Sequence, residues 1–316
     1  MQTAELIWMD GNLVPWDEAK IHVLTHGLHY GTGVFEGVRC YDTESHGPAI
    51  FRHDDHLDRL ERSCGLYYMP LPFTREQLRT ATLEVVGRNG LRSCYIRPIV
   101  FRAYGTMGLY PLDAPVSVAI AAWEWGSYLG DEGKQNGVRA KVSSWRRISA
   151  DSLIPHAKAS GQYLNSVLAK IEAQKAGYEE AILLDDHGRV CEGSGENLFI
   201  VREGRIYTPP QTAPILDGIN RKSVIEVAGN LGYQVVERDL ARAELYLADE
   251  LFCTGTAAEL TPIREVDDRP VGEGTVGPVT RAVQSSFEDA LHGRAPQYAK
   301  WLDPVPAELY AGAPAG

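Results

Sequence analysis

The sequence predicts a protein of two domains in the mixed α/β (α+β) class. Its 316 residues are more than one ordinary hydrophobic core requires. Strand-like and helix-like segments alternate loosely in both halves, with several hairpins, which is typical of this class. Residues 126–137 are rich in glycine and charge and have little hydrophobic periodicity. We therefore expect a small N-terminal α/β domain over 1–125, an interdomain loop over 126–137 and a larger C-terminal domain over 138–316.

The N-terminal elements follow from turn and capping residues. Asp10-Gly11 suits the type I′ turn of a hairpin between two short apolar runs. Thr74, with Gln77 three residues later, predicts the start of a helix that ends near Asn89-Gly90. A further helix is expected around Leu57 and its apolar neighbours at helical spacing. β-branched and aromatic residues predict strands over 34–41, 49–51, 94–104 and 116–124.

The same patterns continue in the C-terminal half. Strands are predicted over 138–143, 181–184, 197–201, 233–237 and 250–254. Helices are predicted over 161–176, 220–231 and 278–291.

Composition narrows the function classes. The formal net charge of −11 argues against nucleic-acid binding, which needs a basic patch. The chain lacks the run of ~20 apolar residues that a membrane span needs, and its first residues lack a basic leader. Its five scattered cysteines form neither a disulfide framework nor a zinc motif. We expect a cytoplasmic protein with small-molecule ligands and neither a nucleic-acid nor a membrane partner.

One helix raises two questions of interpretation. His53-x-x-His56 has the spacing of two metal ligands, but no third ligand is apparent, and such histidines are more often surface residues, so we predict no metal. Arg59 lies beside the apolar stripe and could pair with Asp55 one turn earlier.

Lys158 and three glycine-containing turns are candidates for chemistry. Lys158 lies among small and neutral residues just before a predicted helix, where an amine could act as a nucleophile. The turns at 192–197, 217–221 and 255–259 combine flexible backbone with carboxylates, hydroxyls or free N–H groups. Taken singly, each turn can have a purely structural role, and Lys158 can be a solvated loop lysine.

Taken together, these motifs resemble the class IV (fold type IV) pyridoxal-phosphate (PLP) enzymes. The stretches are YGTGVFEGVR at 30–39, FRH at 51–53, YIRP at 95–98, EGSGENLF at 192–199 and GTAAE at 255–259, with Arg59 and Lys158 between them. The resemblance extends from about residue 8 to 303. The first and third stretches together are closest to the branched-chain amino-acid aminotransferases. It implies that family's two-domain fold, in which the larger domain has a β-barrel-like sheet with helices.

The resemblance implies PLP as cofactor and assigns roles to residues. Lys158 matches the lysine that binds PLP covalently and moves the proton. Glu192 matches the acid that pairs with the ring nitrogen, and Tyr163 the tyrosine near the phenolic oxygen. The phosphate is expected at Arg59, Ile219, Asn220 and Thr256.

It also implies how the substrate is held. The α-carboxylate is expected at Tyr95, Thr256, Ala257 and Ala258. The pocket for a Leu, Ile or Val side chain is expected to be walled by Tyr30, Phe35, Gly37, Trp125 and Tyr128. Arg97, with Arg39, is expected to meet the second carboxylate of glutamate or 2-oxoglutarate. A homodimer is implied, with a hexamer possible, and the loop at 103–111 is expected to cover the neighbouring subunit's site.

Two alternatives remain open at the level of sequence. A D-amino-acid aminotransferase or an aminodeoxychorismate-lyase type of enzyme would share the fold and change the reaction. A non-catalytic binding protein could keep the scaffold, because fold does not fix function.

Overall fold

The computed structural model describes residues 3–126 and 129–311. The strands are β1 (Leu6–Met9), β2 (Asn12–Pro15), β3 (Gly33–Phe35), β4 (Val38–Thr43), β5 (Gly47–Phe51), β6 (Cys94–Arg102), β7 (Val116–Trp123), β8 (Val138–Arg146), β9 (Glu180–Leu184), β10 (Val190–Gly193), β11 (Asn197–Arg202), β12 (Arg205–Thr208), β13 (Val235–Glu237), β14 (Glu250–Gly255), β15 (Glu259–Val266), β16 (Arg269–Pro270) and β17 (Leu302–Pro304). The helices are α1 (His26–Tyr30), α2 (His53–Leu66), α3 (Arg75–Arg88), α4 (Gly130–Asn136), α5 (Tyr163–Lys175), α6 (Ile219–Asn230) and α7 (Pro278–Leu291). Within these ranges, no helix is long and apolar enough to cross a membrane.

The chain forms two compact units. The first comprises 1–125, 157–161 and 289–316, and the second comprises 126–156 and 162–288. The first unit is built on an antiparallel sheet in the order β17-β5-β4-β6-β7-β1-β2, with β3 also paired to β6. The expected mixed α/β class with two units is confirmed.

One face of the first sheet carries the core. Side chains alternate between the faces of a strand, so every second residue of β6 points the same way. Ile96 and Val100 of β6 are fully buried in the apolar cluster that also contains residues of α2 and α3. Helix α3 begins as predicted, because the Thr74 and Gln77 side chains and backbone N–H groups satisfy each other in a capping box. The opposite face, carrying Tyr95 and Arg97, is therefore left for other contacts.

The second unit contains a closed sheet. Its order is β10-β9-β8-β15-β14-β11-β12-β13, and β10 also pairs with β11 through Glu192 and Asn197. This extra pairing joins six strands into a ring, and the parallel pairs of β8 with β9 and β15 mark where the chain crosses over. A separate apolar cluster fills this unit, with Ile182, Leu198 and Cys253 fully buried. The predicted barrel-like sheet is confirmed.

The units differ from the expected domains in two segments. Residues 157–161 lie in the first unit because Phe35 N–H donates to the Lys158 carbonyl at 3.0 Å and Val34 pairs with Ala159. Residues 289–316 join it as well, because β17 adds to the edge of β5. Both attachments link distant parts of the chain, which local patterns do not report.

Two local expectations also needed correction. The predicted strand over 34–41 is interrupted at Glu36-Gly37, since the buried carboxylate of Glu36 turns inward between β3 and β4. The interval 126–137, expected to be a loop, contains α4, which packs on β15 of the second unit.

Candidate functional site

The predicted substrate residues of the first unit lie on one face of its sheet. Phe35 on β3, Arg39 on β4, and Tyr95 and Arg97 on β6 all alternate with core residues such as Val34, Val38 and Ile96. The register places Arg39 opposite Tyr95. The sheet thus brings these four side chains together on the face opposite the core.

Gly37 and Tyr95 are in close contact. A Cβ atom at position 37 would lie 2.0 Å from the Tyr95 hydroxyl, so only glycine fits there. The Arg97 guanidinium donates to that hydroxyl at 3.3 Å and lies 4.8 Å from the centre of the Phe35 ring. The arrangement is an aromatic wall with one cation held against it.

Lys158 approaches the same wall. Its Nζ lies 5.3 Å from the centre of the Phe35 ring, and its backbone N–H donates to the Ser63 hydroxyl at 3.2 Å. Ala157 and Ala159 on either side are buried, whereas Lys158 itself is half-buried. A lysine with a fixed backbone and a partly accessible amine is a suitable nucleophile.

The remaining pocket residues of the first unit are more exposed. Arg39 donates to the Trp125 carbonyl at 3.1 Å, and the Trp125 ring packs edge-on against Tyr95 at 4.7 Å. Tyr30 ends α1 and is 43% exposed, so the described residues of this unit cover it only in part. Tyr128 lies outside the described residues.

Arg59 is held by a buried carboxylate. Its Nε and Nη2 donate to the two oxygens of Glu36 at 2.7 and 2.8 Å, and Asp55 pairs with Arg52 at 2.5 Å. His56 also hydrogen-bonds Glu36 through Nδ1 at 2.7 Å. The helix thus turns Arg59 toward the interior, where it is 4% exposed.

The sequence suggested that the two histidines lie at the surface, but the structure buries both. His53 and His56 are 3% and 1% exposed, and His53 hydrogen-bonds Asp303 on β17 at 2.7 Å. Each ring is paired with a carboxylate that belongs to another strand or turn. Across the two described ranges, no cluster of three or more His, Cys, Asp or Glu residues could hold a metal ion.

In the second unit, Glu192 is a buried and fixed carboxylate. Its Oε1 forms an ion pair with Arg147 Nε at 2.8 Å, and its Oε2 accepts from the Leu216 backbone N–H at 2.9 Å. The amide of Asn197, its partner across β10 and β11, adds a donor at 3.3 Å. A protonated ring nitrogen would require a negatively charged partner, and Arg147 stabilises that form of Glu192.

The proposed phosphate residues of the second unit surround the start of α6. The helix begins at Ile219 with Gly218 as N-cap, so Asn220 is its second residue rather than its cap. The first N–H groups of a helix have no partner within it and favour an anion. Asn220 Nδ2 donates to the Gly255 carbonyl at 3.0 Å, which ties α6 to the turn at 256–258.

That turn joins β14 to β15. Gly255 and Glu259 are directly paired, and Glu259 takes the left-handed φ of 53° that closes the turn. Thr256 and Ala257 are half-buried and Ala258 is buried. Three consecutive N–H groups thus lie in a tight turn next to the α6 start, a donor set that suits oxyanions.

Tyr163 is the first residue of α5 and half-buried. The preceding residue, Gln162, fixes the helix entrance by donating to the Ile154 carbonyl at 2.7 Å. The predicted cofactor and substrate residues are thus divided between the units. Lys158, Arg59 and the aromatic wall belong to the first, and Tyr163, Glu192, Asn220 and Thr256 belong to the second.

Sequence reasoning missed three buried groups. Glu36 and Arg147 hold Arg59 and Glu192, and Glu196 lies in the interior of the second unit. A signal existed for Glu36, because a carboxylate inside the apolar run 34–38 is out of pattern. Arg147 gives no such signal, since its partner is 45 positions away in the sequence.

Comparisons with known proteins agree with the motifs. The family described as amino-transferase class IV matches residues 33–266. A branched-chain-amino-acid aminotransferase of Salmonella typhimurium is 47% identical over 96% of this chain and 98% of its own length. The crystal structure of the Escherichia coli branched-chain amino acid aminotransferase superposes with a TM-score of 0.94 at 46% identity, covering 96% of this chain and all of that one. The Thermobaculum terrenum enzyme, solved in its PLP form, gives 0.88 at 37% identity, covering 97% of this chain and all of that one.

Proposed function

Because the chain belongs to the class IV aminotransferases, and within them to the branched-chain-amino-acid aminotransferases, we propose that it moves the amino group of L-leucine, L-isoleucine or L-valine to 2-oxoglutarate. The resemblance read from the sequence motifs is confirmed. The protein is a transaminase, and its cofactor is PLP. When bound, PLP supplies an aldehyde for the amino group and a ring that withdraws electrons from the substrate Cα.

The observation that supports the substrate class is the aromatic wall with the Arg97 guanidinium held against it. Phe35 and Tyr95 offer apolar surface to a branched side chain, and Arg97 lies against both rings, 4.8 and 5.3 Å from their centres. Its Nε is buried and has no hydrogen-bond partner among the described residues. A second carboxylate, as in 2-oxoglutarate, would provide that partner without displacing the apolar surface.

The chain's own residues divide the remaining work. Lys158 would hold the cofactor and then carry the proton from the substrate Cα. Glu192, paired with Arg147, would be the partner of the ring nitrogen and would favour its protonation. Arg59, the α6 start and the Thr256 turn bind the phosphate. The buried ion pair at Glu192, the N–H groups at the start of α6 and the N–H groups of the turn at 256–258 fit PLP in charge and in kind.

Reduction with borohydride tests the role of Lys158. Borohydride should fix the cofactor to the chain, and peptide mapping should find the label on Lys158 alone. A Lys158→Ala protein should lose transamination, whereas Lys170→Ala, a lysine of the second unit paired with Glu180, should keep the cofactor label. A label on any other lysine would refute the assignment.

A substrate panel tests the reaction. L-leucine, L-isoleucine and L-valine should serve as amino donors with 2-oxoglutarate, and D-alanine should not. The kinetics should be ping-pong, because one site serves both half-reactions in turn. Preference for D-alanine would establish the D-amino-acid alternative, and an inactive but PLP-binding protein the non-catalytic one.

Separate half-reactions test Arg97. In Arg97→Met, single turnover with glutamate should slow at least tenfold more than single turnover with leucine, since only glutamate presents a second carboxylate. Arg92→Met is the control, because Arg92 lies at the surface of the same unit and pairs with Asp42 at 2.8 Å. Equal slowing of both half-reactions in Arg97→Met would contradict the assignment.

We also propose a homodimer. On the first unit, large apolar side chains are exposed at the α1 segment and in the loop at 103–113. They are Ile21, Val23, Leu28, Met107, Leu109 and Tyr110, of which Leu109 is 90% exposed. Such a patch favours a protein partner. Sedimentation should give a dimer, and Leu109→Asp should weaken it, whereas Leu247→Asp in the second unit should not. A wild-type monomer would refute the proposal, and a hexamer would extend it.

We place the protein in the cytoplasm. All five cysteines are free and buried thiols, which fits a reducing compartment. Cell fractionation should find the transaminase activity in the cytosolic fraction, and recovery in the extracellular or membrane fraction would contradict this.

A further inference from the structure

Glu36 lies at the centre of a buried cluster in the first unit. It is 1% exposed and occupies the break between β3 and β4, next to Phe35 and Gly37. A carboxylate is costly to bury unless it is paired and hydrogen-bonded. Its retention inside an apolar strand run therefore calls for a specific partner.

That partner is Arg59. Two parallel hydrogen bonds, from Nε at 2.7 Å and Nη2 at 2.8 Å, join the guanidinium to both oxygens of Glu36. A bidentate pair of this kind fixes the plane of the guanidinium as well as its position. Arg59 is itself only 4% exposed. Glu36 therefore sets the orientation of the other N–H donors of the Arg59 guanidinium.

His56 supports the same carboxylate from one helical turn earlier. Its Nδ1 lies 2.7 Å from Glu36 Oε2, and burial, together with the charges of Arg59 and Lys158, lowers the pKa of His56. His56 is thus neutral, and its Nδ1–H group donates a hydrogen bond to Glu36. Burial alone would raise the pKa of Glu36, but Arg59 and His56 outweigh that effect and lower it well below the usual range. Glu36 is thus an ionised acceptor with its donors in place.

The backbone of Glu36 reaches the substrate wall. Its N–H donates to the Pro98 carbonyl of β6 at 2.8 Å, and Oε2 accepts from the Gly37 N–H at 3.3 Å. The same residue therefore contacts Arg59 through its side chain and holds the turn that carries Phe35 and Gly37. One residue thus links Arg59 to this turn.

We propose that Glu36 is a positioning residue that orients Arg59 toward the cofactor phosphate and couples this contact to the turn forming the substrate wall. His56 assists by fixing the carboxylate. The inference rests on the proposed phosphate role of Arg59. It assigns a role in cofactor binding to a residue that lies between two predicted pocket residues, Phe35 and Gly37.

Substitution of Glu36 by glutamine separates geometry from charge. The amide keeps the shape but presents an N–H₂ group to either Arg59 or the His56 donor, so the bidentate pair is lost. The freed positive charge would by itself attract phosphate more strongly. If positioning dominates, PLP binding to the apoenzyme should weaken about tenfold or more, as expected for loss of a charge-assisted contact.

Three measurements on the full-length protein test this. PLP affinity is measured by titration of the apoenzyme, the environment of the bound phosphate by its ³¹P chemical shift, and substrate binding by KM for leucine. Glu36→Gln should change all three. Glu61→Gln is the matched control, because Glu61 lies on the same helix and pairs with Arg75 at the surface at 3.0 Å. It should change none.

Further variants keep the outcomes distinct. Arg59→Lys should weaken PLP binding in any case, and normal PLP affinity there would refute the phosphate role itself. His56→Asn keeps a donor near Nδ1 and should resemble wild type, whereas His56→Leu should shift the ³¹P signal even if Glu36→Gln fails to fold. Wild-type PLP affinity and ³¹P shift in Glu36→Gln, or in His56→Leu where only that variant folds, would overturn the inference.

Discussion

Tyr95 can occupy its position in the sheet only because residue 37 is a glycine and has no side chain. The Tyr95 ring is buried and packs against both Trp123 and Trp125, 5.3 and 4.7 Å from their ring centres. A methyl group on residue 37 would meet the hydroxyl and the adjacent ring carbon at 2.0 and 2.9 Å. The constraint arises from packing across the sheet.

Gly37→Ala should therefore impair catalysis more than folding. The Tyr95 hydroxyl and the Arg97 guanidinium bonded to it would shift by about an ångström, enough to lower kcat/KM for leucine by about 100-fold. Steady-state kinetics and thermal unfolding of the same preparations measure the two effects. Gly65→Ala, in α2 where a Cβ meets nothing within 4 Å, is the control and should be active and slightly more stable.

At the scale of secondary-structure elements, the sequence was informative where the signal is local. The capping box at Thr74 and the turn at Asp10-Gly11, two residues that both have positive φ, were predictable from a few neighbouring residues. The break at Glu36 was not, because it depends on Arg59, 23 positions later. The link from α6 to the β14 turn depends in the same way on Asn220 and Gly255.

This link predicts the behaviour of Asn220 variants. Asn220→Thr keeps a short polar side chain at the second helical position, and PLP affinity should stay within a few-fold of wild type. Asn220→Asp loses the donor to Gly255 and adds a buried negative charge beside the anion-binding helix start, so PLP affinity should fall at least tenfold. Apoenzyme titration measures both. An Asp variant that binds PLP normally would contradict a phosphate site at this helix.

At the scale of the whole molecule, a buried acid outside the predicted set affects stability. Glu196 accepts from the Gly195 N–H at 3.1 Å, close to Glu180, which pairs with Lys170 at 2.5 Å. Burial, reinforced by the negative charge of Glu180, raises the pKa of Glu196 to about 8. The folded protein therefore keeps Glu196 protonated at neutral pH, whereas the unfolded chain ionises it near 4.5.

The sign of the resulting pH dependence follows from linkage. Between pH 4.5 and 8 the unfolded chain has already lost this proton, so the group progressively destabilises the fold as pH rises. Glu196→Gln removes that effect. Chemical denaturation should give similar stability for variant and wild type near pH 4.5 and a growing advantage for the variant up to pH 8. A constant difference across this range would show that Glu196 does not titrate as described.

The candidate site residues had to be predicted one by one from motifs, since some belong to the first unit and others to the second. Motif order indicated Lys158, Glu192 and Arg59, and these roles stay predictions. It did not reveal that 157–161 and 289–316 join the first unit, because the strand pairs between β17 and β5 are 251 to 255 positions apart in sequence and leave no periodic trace.

The pairing of β17 with β5 has a consequence for synthesis on the ribosome. The first 125 residues emerge early, but the sheet they form lacks an edge strand until residues 302–304 have been made. Until then β5 exposes unpaired backbone groups, the kind of edge on which nascent chains associate. Much of the first unit is thus translated early, but its sheet can be completed only after residues 302–304 have been made.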